Sequence, residues 1–501
     1  MFATILKKVY QQLLLLVVVA VVLLAAYVSA GRQFMPAISR YASFLEDQIQ
    51  QSTGIPVSVE SLTGSFSGFN PVVLIDGLQL AVSEELPRSA LRFASAKIIV
   101  DMPRSVWQRR WVLEEFVIES LAIDISQNTD GSWQLTGVNA AGGGDPVDLN
   151  SLYQTFLSFT RLDLTDVGIN VLTRSGDRLS LVNGVATFQN QGDNHFLHVN
   201  ANLEGNAEQL AFSFEVQGDA LDEVSGTFHI SVPNSDYSRL FAEQDLGQVA
   251  IESIQGGGQA WLNLENGEVL SVNIELEVPG VTVSVLDGQP LRLDNLQGKA
   301  KLARGMTRDH WEVALADMSI NYSEEYWRSF NAYVYLVPES VLNVRADRIE
   351  LGLLAKLALD SGVLSDNAMT ELQGFNPDGV LENFSLSMPL TDATDDIISL
   401  RSNVVDGQIG SVRNSPNIWG IDAYVEMEFD EAAQQLTGLA EVDSTDFSMN
   451  IPATFTRVWD YSYVNGRLLI DVDLSNGQRV KLVSSRIVAE SEAVDGNAQF
   501  T

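Results

Sequence analysis

The chain has 501 residues, with 30 Lys and Arg against 65 Asp and Glu, and its net charge of −35 repels phosphate backbones and excludes nucleic acid as a partner. It contains no cysteine, which removes disulfides, thiolate metal sites and cysteine nucleophiles from consideration. A hydrophobic content of 46% excludes disorder for the bulk of the chain and suits about two to four domains or one elongated repeat architecture.

Leu13 to Tyr27 is an unbroken apolar run inside an uncharged stretch from Val9 to Gly31. A helix over that stretch is about 35 Å long, enough for a hydrocarbon core of about 30 Å. The run predicts a membrane anchor carried by Leu13, Leu16, Val19, Leu23 and Tyr27. Lys7, Lys8 and a small-residue site at Val28-Ser29-Ala30 fit a cleaved signal peptide as the competing reading. The anchor is preferred because the Leu/Val run exceeds what a signal peptide needs. Both readings export the chain. Arg32 and Arg40 balance the two lysines, so the short N-terminal tail is what favours a cytoplasmic N-terminus.

Phe34, Ile38, Tyr41, Leu45 and Ile49 recur at helical spacing and predict one amphipathic helix ending at Ser52-Thr53-Gly54. From Ile55 the apolar period changes to two. Val72, Leu74, Leu78, Leu80 and Val82 share one face of a predicted strand, while Leu113 to Leu121 is apolar on both faces. Leu210, Phe212, Phe214 and Val216 alternate with Ala211, Ser213 and Glu215; Leu270, Val272, Ile274, Leu276 and Val278 alternate with Ser271, Asn273, Glu275 and Glu277. Ile421, Ala423, Val425, Met427 and Phe429 do the same against Asp422, Tyr424, Glu426 and Glu428. Asp130-Gly131, Ser175-Gly176-Asp177, Asn266-Gly267, Asp287-Gly288, Asn465-Gly466 and Asn476-Gly477 supply the positive φ of hairpins, so the strands are expected to be mostly antiparallel.

Helices are expected around Leu149 to Phe159 and from Ile349 to Leu359. The Ala140 to Pro146 loop (AAGGGDP) is the candidate boundary, giving a tail and anchor at 1–31, a first β unit at 32–140 and an extended β region at 141–501. Arg479 to Ile487 still reads as a strand, so the chain is expected to be a fragment or to leave its last edge open.

No catalytic constellation is present. His195, His198, His229 and His310 lack ligand spacing, the Gly142 and Gly256 triplets match no phosphate loop, and no G-x-S-x-G elbow occurs. Carboxylate neighbours such as Glu114-Glu115 point to opposite faces of a strand, and Trp107, Trp111 and Trp133 read first as packing. Neither a cofactor nor a metal is called for. What remains is diffuse: many strands with long apolar faces and few helices to cover them. Such a face is either the core of a closed sandwich or the lining of an open groove.

The segment from the anchor through Thr53-Gly54-Ile55-Pro56-Val57, Leu62-Thr63-Gly64 and Pro71 to Leu78 resembles the start of AsmA-like envelope proteins, most closely the YhdP family. Asp130 to Gly137 (DGSWQLTG) and Gly374 to Leu381 (GFNPDGVL) are similar to two further elements of that family, in the same order. The resemblance implies an anchor in the bacterial inner membrane with the bulk of the chain periplasmic. It implies a mainly β fold, an elongated and curled antiparallel sheet forming an apolar groove with a few inserted helices. The implied activity is movement of phospholipid toward the outer membrane, with no enzymatic step.

A phospholipid exposes long acyl chains at about 0.8 kcal/mol per CH₂, so a moving lipid needs a level apolar track. Leu74, Leu78, Leu80, Phe212, Phe214, Val272, Ile274, Leu276, Val425 and Phe429 are the expected lining. The alternatives are an anchored scaffold for outer-membrane or periplasmic proteins, which needs an exposed strand edge, and a glycan-active enzyme, which needs converging carboxylates.

Overall fold

The computed structural model describes residues 2–44, 46–47, 57–81, 90–109, 112–127, 133–136, 153, 157, 159–174, 176–220, 222–241, 249–285, 288–305, 309–323, 325–391, 397–412, 415–452, 454, 457–475, 479–491 and 496–499. They fall into two compact units, residues 1–232 with 263–268 and residues 233–262 with 269–501. The expected boundary loop at 140–146 lies outside the described residues.

The first unit opens with helix α1 (Phe2–Phe34), which contains the whole apolar run and continues past Gly31. The expected second helix does not start afresh. The chain tightens into a 3₁₀ turn at Met35–Tyr41, where Pro36 has no N–H to donate to the preceding turn, and becomes α-helical again at residue 42. Leu45 and Ile49 lie outside the described residues.

Strands follow as β1 (Val57–Ser58), β2 (Ser61–Ser67), β3 (Asn70–Ala81) and β4 (Ala90–Val100), then the short helix α2 (Met102–Gln108). After it come β5 (Leu113–Glu119), β6 (Ala122–Gln127) and β7 (Trp133–Thr136). Strands β8 (Arg161–Leu172), β9 (Arg178–Gln191), β10 (Asn194–Leu203), β11 (Gln209–Gln217) and β12 (Ser225–Asp236) complete the series. Pairing is antiparallel, as the turn chemistry requires, with two exceptions: β8 runs parallel to β5 and to β6. These two strands are one broken strand between β4 and β8, kinked at Ser120 (φ 56°). Of the helix expected at 149–159, Tyr153 and Leu157 are helical, whereas Phe159 makes an isolated bridge to Leu113.

Helix α3 (Ser238–Phe241) precedes β13 (Val249–Glu265) and β14 (Glu268–Val285), which are joined by the Asn266-Gly267 turn. The second unit then continues through β15 (Leu291–Arg304), β16 (Trp311–Tyr322), β17 (Glu325–Val337) and β18 (Val341–Glu350). Helices α4 (Leu351–Asp360) and α5 (Asp366–Phe375) interrupt it, so the predicted helix begins two residues later than its periodicity suggests because Ile349 and Glu350 still pair with β19. The series resumes with β19 (Asp378–Pro389), β20 (Ile397–Ile409), β21 (Asn417–Asp430), β22 (Gln435–Asn450) and β23 (Trp459–Asp473). It ends in β24 (Arg479–Ser484), β25 (Ile487–Glu490) and β26 (Gly496–Ala498).

Each strand from β14 to β23 pairs antiparallel with the next. Asn465-Gly466 is not a hairpin. It sits inside β23, where the partner changes from β25 at Asn465 to β24 at Leu468. The strand expected at 479–487 is likewise broken between Ser484 and Ile487 by this exchange.

Two small cores are present among the described residues. Leu62, Ile75 and Ala96 pack under Ile38 and Ala42; Leu291, Tyr322 and Leu353 pack α4 against the ends of β15 and β16. Tyr322 Oη donates to Asp360 Oδ2 at 2.6 Å, and burial together with that carboxylate pushes the phenol pKa up, so it stays a donor. Each unit is an open, curled sheet with few helices. Both cores are local, so most of the sheet has no second layer to hide its apolar side.

Candidate functional site

Residues directly opposite each other on paired strands share a face, so the register gives the composition of each face. In the first unit one transverse row runs Val73, Ile98, Phe116, Leu162, Phe188, Leu197, Phe214, Phe228. The adjoining row runs Leu62, Ile75, Ala96, Ile118, Leu164, Ala186, Val199, Phe212, Ile230. No polar side chain interrupts either row. The opposite face carries Asp163, Thr187, His198, Ser213 and His229 in register, with Thr187 Oγ1 donating to Asp163 Oδ1 at 2.9 Å.

Curling turns the apolar rows inward. Side chains from β6 and β8 to β11 enclose a cavity of about 480 Å³, lined by Ile123, Leu162, Ile169, Leu181, Phe188, Leu197 and Phe214, with Tyr153 the polar exception. Phe214 lies 6.3 Å from Phe188 and 5.5 Å from Phe228 between ring centroids, which makes an aromatic wall at one side. Tyr153 Oη donates to the Gly218 carbonyl at 2.8 Å. His195 is 3% exposed, with Nδ1 2.6 Å from Asn190 Oδ1.

The second unit repeats the pattern independently. One row runs Val272, Leu302, Val313, Val334, Val344, Leu386, Leu400, Met427, Gly438, Ile470, Leu482. Its other face bears the charges as cross-strand pairs: Lys299 with Glu275 at 2.9 Å, Arg401 with Glu426 at 2.8 Å and Arg467 with Glu441 at 2.8 Å. Such exposed pairs are screened by solvent and stabilise little, so their consequence is solubility of that face more than stability.

The expected lining residues divide. Phe212 and Phe214 lie in the two rows of the first unit, and Val272 lies in the row just given. Ile274 and Leu276 follow on the same face of β14, opposite Ala300 and Gly298. Val425 stands between Ser402 and Ala440, and Phe429 between Ile398 and Leu436. Leu74 is opposite Thr63 and Lys97, off the Val73 and Ile75 rows. Leu78 and Leu80 pair through their backbones with Phe93 and Leu91, and their side chains lie outside the described residues. Of the anchor set, Leu13 and Leu16 are described as backbone only, Val19 and Leu23 are 49% and 65% exposed, and Tyr27 sits edge-on to Phe66 at 5.6 Å.

Apolar alternation does not reveal what shapes the sheet. Non-glycine residues with positive φ recur inside strands: Asp166 and Asn183 in the first unit, and Asn295, Asp317, Asn383, Asp406 and Asp446 in the second. Register shifts accompany them, the mark of β-bulges that bend a strand and increase its twist. Neighbouring side chains accept from the backbone N–H groups beside these kinks. Asp317 N donates to Asn331 Oδ1 at 3.1 Å, Asn331 N to Asp347 Oδ1 at 2.8 Å, Asp406 N to Asp422 Oδ1 at 2.9 Å, and Asp422 N to Ser444 Oγ at 2.8 Å. The available signal is an Asn or Asp in mid-strand, before Gly only at Asn183-Gly184 and Asp406-Gly407 among these seven.

Fold and face together define a class: an open, curled β-sheet with one apolar and one charged face, headed by an apolar helix long enough to cross a membrane. No solved structure matches the chain. The YhdP protein family model matches residues 1–501, and the chain belongs to that family. It is 22% identical over 392 residues to the intermembrane phospholipid transporter YhdP of Escherichia coli (strain K12), covering 74% of this chain and 29% of that protein. The chain thus spans under a third of its relative's length.

Proposed function

We propose that this chain carries phospholipid along its apolar sheet face, from the bacterial inner membrane toward the outer membrane. In this reading α1 is a single-pass anchor with a cytoplasmic N-terminus, and the sheet stands in the periplasm. The supporting observation is the unbroken transverse apolar row in each unit, repeated with similar side chains and partly exposed along the second unit. Acyl chains lying on such a row stay out of water at every strand, and similar Val, Leu, Ile and Phe neighbours keep their energy nearly level. The charged face and the net charge of −35 keep the sheet soluble while it holds lipid. The name of the Escherichia coli relative supports the same substrate.

Photo-crosslinking amino acids at Leu197 and Val344, with Ser213 as the opposite-face control, test the reading. Phospholipid adducts are expected from the first two positions and not from the third. Lipid-free protein at both apolar positions, with crosslinks instead from β24 to other proteins, would replace transport by the scaffold alternative.

A further inference from the structure

The loop that carries α2 presents an apolar surface the sheet does not use. Trp107 is 89% exposed and Val106 71%, more than Leu23 of the apolar helix at 65%. Hydrogen bonds hold α2 in this pose. Asp101 caps α2 by accepting from Arg104 N at 2.8 Å, Asp101 N donates to the Val112 carbonyl at 2.9 Å, and Val112 N donates to Ser105 Oγ at 2.9 Å. Arg109 closes the helix in the left-handed conformation (φ 55°). A well-fixed turn displaying Trp and Val to solvent costs free energy unless something covers them.

The surroundings identify the cover. Met102 N, the first residue of α2, donates to Asn70 Oδ1 at 3.1 Å. Asn70 follows Phe69 at the tip of the β2–β3 hairpin, and Phe69, 51% exposed, lines a cleft with Val21, Leu24, Val28 and Arg32 of α1. Those helix residues span about 17 Å of α1, from the middle of the apolar run to Arg32, the first charged residue after it. The hairpin tip and the α2 loop therefore stand together beside the place where the helix leaves the bilayer. Between Met102 and Leu113 the chain holds Arg104, Arg109 and Arg110, with Arg104 paired to Asp101 at 3.4 Å and Glu114 and Glu115 following. Aromatic and arginine side chains on one short turn suit the headgroup layer, where an indole is half-solvated and a guanidinium meets lipid phosphate.

We infer that the α2 loop, through Val106, Trp107, Arg104 and Arg109 with Phe69 alongside, docks in the headgroup layer of an anionic bilayer as a second membrane contact next to α1. It rests on the reading of α1 as a membrane-spanning anchor. Two contacts on one side fix the orientation of the first strands relative to the bilayer, which a single flexible tether does not. A protein partner would equally cover Trp107, but its seat beside the apolar helix favours lipid.

The absence of cysteine allows single-cysteine labelling of the full chain. Val106→Cys, Leu15→Cys in α1 and Glu204→Cys in an exposed turn each receive an environment-sensitive fluorophore. The proteins are then reconstituted in phosphatidylethanolamine vesicles with and without phosphatidylglycerol. At position 106 the emission should shift to the blue and be quenched by spin labels near the headgroups. At 15 it should be quenched by deep labels, and at 204 by neither.

Arg109→Gln should reduce docking on phosphatidylglycerol vesicles by about fivefold. A fluorophore at 106 that behaves like the one at 204 while position 15 is quenched overturns the docking proposal and leaves the anchor intact. Loss of quenching at 15 overturns the anchor and the docking with it. A blue shift at 106 in vesicles without quenching by headgroup spin labels assigns the loop to protein contact and also overturns the proposal.

Discussion

Asp406 shows how single residues set the curvature of this sheet. Its φ of 49° is a conformation that costs an L-residue about 1–2 kcal/mol, and its N–H is satisfied outside the ladder by Asp422 Oδ1. Asp406→Val should therefore destabilise the chain by about 1–2 kcal/mol, read as a lower urea midpoint, while Asp406→Gly should leave the midpoint nearly unchanged. Ser444 is wholly buried and accepts from Asp422 N at 2.8 Å, so Ser444→Ala strands a buried donor and should cost about 1–3 kcal/mol by the same measurement. The His310 pKa is raised, chiefly by its hydrogen bond to Asp309 at 2.7 Å and further by Glu312. A raised folded-state value means its contribution is full below the unfolded pKa and is lost as pH rises through the folded one. An NMR titration of its ring should show a midpoint above that of an ordinary histidine, and Asp309→Asn should lower it.

At the level of elements, the docking of α1 on β2 depends on two close approaches. A side chain at Gly31 would run into the Phe66 ring, and a Cβ at Gly64 would stand 2.6 Å from the Met35 carbonyl oxygen. Period-two alternation made the strands legible, and the Leu/Val run made α1 legible, because both are local consequences of burial on one side. Which face of β3 joins the rows was not local. Val72, Val73, Leu74 and Ile75 are all apolar, and only pairing with Leu62 and Ala96 selects Ile75 and leaves Leu74 beside Lys97. Asn-Gly and Asp-Gly were ambiguous for a related reason. Both supply positive φ, but long-range pairing decides whether the result is a hairpin, as at Asn266-Gly267, or a break within a strand, as at Asn465-Gly466. The bulges escaped notice because alternation survives on either side of them. Phe214→Glu, which places a charge in the apolar row, should lower the phospholipid recovered with the protein by about tenfold or more, and Ser213→Glu on the other face should leave it unchanged.

At the scale of the whole chain, the proposed transport asks whether α1 is a tether or part of the path. The first core includes Ile38 and Ala42, which lie after α1, so a chain beginning at Met35 keeps the contacts that hold β2, β3 and β4 together. It loses the Tyr27 contact with Phe66 and the cleft between Phe69 and Val21 to Arg32, which belong to the helix. Circular dichroism and the thermal midpoint of the shortened chain should therefore stay close to those of the full chain. If α1 holds the first strands against the lipid surface, transfer between donor and acceptor vesicles should fall to background even though purified protein still takes up lipid from detergent. Transfer at an undiminished rate would show that the sheet collects lipid by diffusion, and that the helix serves only to bring the chain across the membrane.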